Sequence, residues 1–301
     1  MQLRIEHLSK RYRTGVQALQ DVSLTISSGM FGLLGPNGAG KSTLMRILAT
    51  LQEADSGTAF LDDIDILKDK DALRRVLGYL PQEFGVYPKV TAWQMLDHFA
   101  ELKGIGTARE RRALVDALLR QTNLWDARNQ RLGTFSGGMK QRFGIAQALI
   151  RDPKLIIVDE PTAGLDPEER VRFHNLLSEI GEHVVVILST HIVSDVSDLC
   201  QSMAIIHLGR VLVEGHPIEL ARSLRGLIWQ KLIPRVELDA YKEKLPVISS
   251  RLVTGKTLIR VHGESAPDPE FEPVEPDLED LYFWTVTSSA SGEPVTASAA
   301  S

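Results

Sequence analysis

The run Gly35-Pro36-Asn37-Gly38-Ala39-Gly40-Lys41-Ser42-Thr43 carries residue types that chemistry on phosphates needs, at the spacing it needs. Glycine, four residues, then glycine, lysine and a hydroxyl is the pattern of a phosphate-cradling loop. The glycines let the backbone curl so that successive N–H groups face an anion. The helix expected from Leu44 onward adds about half a positive charge at the same point. Lys41 brings a full charge toward the β and γ phosphates, and the Ser42 hydroxyl can ligate Mg²⁺. Met30 to Leu34, just upstream, is mostly apolar and predicts a buried strand.

Two further groups could complete such a site. Leu155-Ile156-Ile157-Val158 is apolar without alternation, as in a parallel strand covered on both faces, and it ends in Asp159-Glu160. The carboxyl ends of parallel strands face a ligand crevice. There Asp159 can hold Mg²⁺, and Glu160 can orient or deprotonate a water. Ser136-Gly137-Gly138 can cap a helix running from about Met139 to Ile150, leaving N–H groups at its positive end as a second anion site.

The segments around these groups predict an α/β chain. Residues 2–29 predict antiparallel strands from the alternation of Leu3, Ile5 and Leu8 and of Val22, Leu24 and Ile26. Short strands are expected at 58–61 and 76–80, and residues 91–123 turn helical behind a Thr91/Gln94 capping box. Asp166, Pro167, Glu168 and Glu169 start another helix, 184–188 forms a second buried strand, and 203–214 forms two short strands. Beyond residue 222, strands are expected at 227–233, 247–253 and 257–262, a helix at 236–245, a linker at 264–277 and a short helix over 278–283. Residues 287–301 are small and polar and are expected to be disordered. The chain has 301 residues, a net charge of −5 and one cysteine, Cys200. The charge gives no electrostatic footprint for nucleic acid. A lone cysteine allows no internal disulfide and fits a reducing compartment. No apolar run approaches the roughly 18 residues of a membrane span, and Met1 to Glu6 has no signal-peptide core.

With Phe135-Ser136-Gly137-Gly138-Met139 in view, the chain resembles the ABC ATPases, the nucleotide-binding subunits of ATP-driven transporters, and within them the exporter branch that includes drug and antibiotic efflux ATPases. The match extends over residues 2–220 in family order. Gln82 falls at the Q-loop, which senses Mg²⁺ and water. Ala163-Gly164-Leu165-Asp166 matches the D-loop. His191 matches the switch histidine that contacts the γ-phosphate, and Tyr12 the aromatic residue that stacks on adenine. The resemblance implies a P-loop NTPase core with an antiparallel β subdomain over 2–222, a helical subdomain at about 88–150 and a C-terminal α+β extension over 223–286. It implies ATP and Mg²⁺ as cofactors. Each ATP would be sandwiched between the loop of one copy and the signature of a second copy. A separately encoded integral membrane permease would be the partner, on the cytoplasmic face of the membrane, with no nucleic acid. Met139 stands where the family signature has glutamine, so any hydrogen bond donated by that glutamine is missing here.

A non-transport ABC ATPase of translation or DNA repair is the main alternative. One cassette, one cysteine and the absence of a heptad run or basic stripe weigh against it. An unrelated phosphate-loop kinase or GTPase is opposed by the Ser136 signature and His191, and a non-hydrolysing module by intact Lys41, Asp159, Glu160 and His191.

Overall fold

The computed structural model describes residues 1–291 apart from 83, 163, 182 and 183, with the backbone alone at 290 and 291. Ala163 of the expected D-loop and residues 292–301 of the expected tail therefore lie outside the described residues.

Alternation at the N-terminus builds the first sheet. β1 (Gln2–Arg11) pairs antiparallel with β2 (Gln17–Ser27), setting Leu3 against Ile26 and Ile5 against Leu24 on one buried face. Then come β3 (Gly29–Leu34), α1 (Lys41–Leu48), β4 (Ser56–Leu61), β5 (Ile64–Asp65), α2 (Lys70–Val76) and β6 (Leu77–Leu80). β4 and β5 complete a sheet in the order β2-β1-β4-β5.

Three helices follow. α3 (Ala92–Leu102) and α4 (Ala108–Gln121) both start on complete capping boxes, Thr91 with Gln94 and Thr107 with Glu110. Trp93 donates to Asp116 at 2.9 Å and Arg111 to Asp97 at 3.0 Å, tying the two helices together. With α5 (Gly137–Ala148) they enclose a core of their own around Leu96, Val115, Leu119 and Phe143.

The chain then returns to the central sheet through β7 (Leu155–Asp159), α6 (Pro167–Gly181), β8 (Val185–Thr190), α7 (Val193–Leu199), β9 (Ser202–His207) and β10 (Arg210–Gly215). The order is β10-β9-β3-β8-β7-β6, parallel throughout except for the β9–β10 pair. β3, β7 and β8 are apolar on both faces because helices or the first sheet cover each side. This is the mixed α/β class expected.

After α8 (Pro217–Arg222), the C-terminal region forms β11 (Ile228–Ile233), α9 (Leu238–Lys244), β12 (Val247–Val253), β13 (Lys256–His262), β14 (Glu272–Pro273) and α10 (Leu278–Ser291). Its sheet runs β12-β13-β11-β14. Two expectations are corrected here, and three helices are added. The helix expected over 278–283 continues to Ser291, so residues 287–291 are helical and not a disordered tail. Its continuation has a packing cause: Leu278 and Leu281 join Val196, Val213, Leu220 and Ile228 in one core cluster, with Tyr282, Trp284 and Val286 against it. The segment expected as a linker contributes β14 and buries Phe271 with Ile233, Ile259 and Val261. Finally, α2, α7 and α8 are helices that hydrophobic periodicity did not reveal, each only six or seven residues long.

Arg260 fixes the start of α10, donating to Asp277 at 2.8 Å and Asp280 at 2.6 Å. Leu281 is fully buried between α10 and the cassette, whereas Val236 is 90% exposed. Leu281→Ala is expected to lower stability by about 2–4 kcal/mol, and Val236→Ala by less than about 0.5 kcal/mol. Thermal unfolding of the two variants checks this. Equal midpoints would contradict the packing described for α10.

Candidate functional site

β3 delivers the chain at the carboxyl edge of the central sheet, and the loop Gly35–Gly40 turns it into α1. Glycine is required at both ends of the loop. A Cβ on Gly35 would lie 2.3 Å from the Ile206 carbonyl oxygen. Gly40 has φ of +110°, and its Cβ would lie 2.5 Å from the Ala18 carbonyl oxygen. Lys41 opens α1 and folds back over the loop, donating from Nζ to the carbonyls of Gly35 at 2.6 Å and Pro36 at 3.1 Å. Only 4% of its side chain is exposed. Burial lowers its pKa, and the nearby carboxylates of Glu160 and Asp159 counter that in part.

The negative side of the site comes from β7. Asp159 is its last residue, and burial pushes its carboxyl above the usual carboxylate range, opposed by the nearby Ser189 and Ser42 hydroxyls. Its Oδ1 is buried without a hydrogen-bond partner. Glu160 follows in a left-handed conformation, φ +47°, and its N–H donates to the Ser189 carbonyl of β8 at 2.8 Å. Such a backbone costs on the order of 1–3 kcal/mol and persists where surrounding structure imposes it. The result is that the Glu160 carboxylate meets three other elements. Oε1 lies 3.8 Å from Lys41 Nζ and 3.3 Å from His191 Nδ1, and Oε2 accepts from Gln82 Nε2 at 3.0 Å.

A groove of about 370 Å³ opens beside these residues, lined by Pro36 to Thr43, Gln82, Glu160 and Tyr12. Tyr12 is steadied through its hydroxyl by Thr43 Oγ1 and Gln52 Oε1, each at 3.1 Å. Val16, Gln17 and Ala18, from the turn between β1 and β2 and the start of β2, also line it. They were not singled out in the sequence, where the only available signal was a turn following Tyr12.

The signature residues are elsewhere. Ser136 caps α5, accepting from the Met139 N–H at 3.2 Å, so Gly137 and Gly138 open the helix as anticipated. Gly138 has a local reason to be glycine, since a Cβ there would lie 2.2 Å from Glu169 Oε2 of α6. None of Ser136, Gly137 and Gly138 lines the groove that holds Lys41. One chain thus brings together Tyr12, Lys41, Ser42, Gln82, Asp159, Glu160 and His191, and keeps the start of α5 apart from the groove.

A family profile described as ABC transporter matches residues 19–163. DrrA of Streptomyces peucetius, the daunorubicin/doxorubicin resistance ATP-binding protein, is 33% identical over 255 residues, which are 84% of this chain and 75% of DrrA. This chain belongs to the ABC transporter ATP-binding family. YbhF of Escherichia coli (strain K12), described as a probable multidrug ABC transporter ATP-binding protein, is 32% identical over 292 residues. That match takes 92% of this chain and 50% of YbhF, so the chain spans about half that relative's length. Among solved structures, the dimeric bacterial ABC transporter cassette MJ0796 superimposes with a TM-score of 0.65 at 27% identity, over 71% of this chain and 98% of its own. The same cassette is also known in a dimeric post-hydrolysis state bound to ADP and Pi. The structure described here therefore contains an ABC ATPase cassette. Among the described residues, no helix is long and apolar enough to cross a membrane.

The raised pKa of Asp159 has a consequence for stability. The folded cassette binds that proton more tightly than the unfolded chain, so its stability falls as pH rises through the carboxylate range. Asp159→Asn removes the buried charge. Without nucleotide or divalent cation, the variant is expected to unfold at a higher temperature than the parent at pH 7, with the gap closing toward pH 4. A lower midpoint at pH 7 would contradict this electrostatic picture.

Proposed function

We propose that this chain is the ATP-binding and hydrolysing subunit of an ABC exporter, working as a pair of copies on the cytoplasmic face of a membrane through a separate integral membrane permease. The observation that carries the reading is the separation of its two anion sites. The Lys41 groove is lined by Glu160, with His191 in contact with that carboxylate and Asp159 preceding it, yet no signature residue lines it. A second copy in head-to-tail arrangement would set its Ser136, Gly137 and Gly138 over the nucleotide, supplying the missing positive helix start. The dimeric form of MJ0796 supports such an arrangement, and the multidrug description of YbhF and the drug-resistance role of DrrA support drug-like cargo and an outward direction.

In this reading Tyr12 stacks on the adenine and the loop N–H groups cradle the phosphates. Lys41 neutralises charge on the β and γ phosphates. It is poised to do so, because a buried ammonium held by two carbonyls gains from a phosphate what water no longer gives it. Glu160 orients the attacking water and accepts its proton. Gln82 and His191, already in contact with the Glu160 carboxylate, hold it in line, and His191 steadies the γ-phosphate.

The donor set also suits Mg²⁺. Asp159 presents an unpartnered buried oxygen close to the Ser42 hydroxyl, and Gln82 lines the same groove with its nitrogen on Glu160. Among the described residues no cluster of three or more His, Cys, Asp or Glu gathers for a metal. That matches a cation held by one carboxylate plus substrate phosphates. When bound, Mg²⁺ would neutralise charge between the β and γ phosphates.

Glu160→Gln retains the shape of the carboxylate and removes its basicity. The variant is expected to bind ATP, to lose turnover by about 10²–10³-fold, and to elute as a dimer in ATP but not in ADP. Lys41→Ala is expected to weaken ATP binding itself. Light scattering with a phosphate-release assay checks both. Brisk hydrolysis by Glu160→Gln would overturn the role given to Glu160.

A further inference from the structure

Asp195 stands in the first turn of α7, fully buried, and none of the roles above uses it. Its two oxygens serve two sets of partners. Oδ1 accepts from Arg170 Nε at 2.9 Å, forms an ion pair with Arg170 Nη2 at 2.6 Å, and lies 3.0 Å from His174 Nε2, both residues on α6. Oδ2 accepts from the hydroxyls of Thr162 at 2.5 Å and Thr190 at 3.2 Å. Thr190 is doubly engaged, since its Oγ1 also accepts the Ile192 N–H at 3.0 Å. His191 is therefore bracketed by two residues locked to each other, and one of them is locked to Asp195. Thr162 lies two residues past Glu160, so the same carboxylate grips the turn that leaves the proposed base.

Burying an ionised carboxylate is expensive, and well-packed apolar residues commonly do as well or better for stability. Here burial would raise the Asp195 pKa, but the bonds from His174 and Thr162 and the Arg170 charge outweigh it and hold the carboxyl below its usual range. A permanent charge has thus been placed where two loops of the site converge, with the turn after Glu160 on one side and the turn before His191 on the other. The turns that carry Glu160 and His191 must be held to a fraction of an ångström, the precision that hydrolysis requires. The α6 side adds a second link. Glu169, next to Arg170, packs on the signature glycine Gly138 and lies 3.4 Å from Arg142 of α5.

We propose that Asp195 is a positioning residue for ATP hydrolysis: through Thr162 and Thr190 it holds Glu160 and His191 in register with each other, and through Arg170 and His174 it anchors both to the helix that carries the signature contact. The proposal rests on the roles given above to Glu160 and His191.

The test uses the full chain and four variants: Asp195→Asn, Thr190→Val, His191→Ala and the double variant Thr190→Val/His191→Ala. Thr190→Val preserves shape and removes only the hydroxyl between Asp195 and the His191 turn, so it decides the matter should Asp195→Asn fail to fold. Steady-state ATP hydrolysis, binding of a fluorescent ATP analogue and thermal midpoints are measured together. Asp195→Asn and Thr190→Val are each expected to lower kcat about tenfold while changing the nucleotide Kd less than about threefold. Once His191 is gone, adding Thr190→Val is expected to cost less than about twofold, because the two changes act through one group. A merely structural role would lower the midpoint and the fraction of nucleotide-binding sites together and leave turnover per bound nucleotide unchanged. That result, parental kcat in both single variants, or fully additive losses in the double variant overturns the proposal. If His191→Ala alone hydrolyses ATP at the parental rate while Asp195→Asn is slow and Thr190→Val is not, the role of His191 fails and the Asp195 clamp acts on Glu160 through Thr162.

Discussion

An ammonium group with almost no water around it organises this molecule. Lys41 is compensated by two loop carbonyls and, at 3.8 Å, by Glu160, which falls short of what water would give a full charge. A polyanion entering the groove makes up the difference. The loop can hold that charge only if its backbone passes close to Ile206 and Ala18, so Gly35 and Gly40 follow from the same constraint.

The order of the central sheet places the remaining groups. β3, β8, β7 and β6 are consecutive neighbours, all parallel, so their carboxyl ends form a row. Each end delivers one piece: the phosphate loop after β3, His191 after β8, Asp159 and Glu160 at β7, and Gln82 after β6. Residues separated by up to 150 positions in sequence reach one carboxylate because strand crossovers, and not local turns, bring them there. The opposite edge, β9 and β10, braces the loop from behind, with the Gly209 N–H donating to the Ala39 carbonyl.

Much of this was legible in residue order. The phosphate loop, the β7 acids and the Ser136 helix start each carry their meaning within a few residues, as a spacing or a cap. Strong patterns such as the alternation of β1 and β2 or the Thr91 capping box became elements where expected. Short helices were missed because six or seven residues complete too little of a 3.6-residue pattern to distinguish themselves. Residues 287–291 looked like a polar tail, yet they extend a helix whose earlier turns are pinned by Leu281 and Asp280. That is a tertiary cause no local composition displays. Asp195 was invisible for the same reason. In sequence it is one more acid a few residues after His191, and only the meeting of α6, α7 and the ends of β7 and β8 gives it four hydrogen-bonding partner residues.

The central claim is that a working hydrolytic centre is shared between two copies, with the Lys41 groove from one and the Ser136 helix start from the other. Subunit mixing tests it most directly. Chains carrying Lys41→Ala and chains carrying Ser136→Arg are assayed for ATP hydrolysis separately and then combined. Each alone is expected to be nearly inactive. The mixture is expected to recover turnover, because a mixed pair contains one intact loop facing one intact signature. A mixture no more active than the sum of its parents, or a Ser136→Arg chain as active as the parent by itself, would contradict the account.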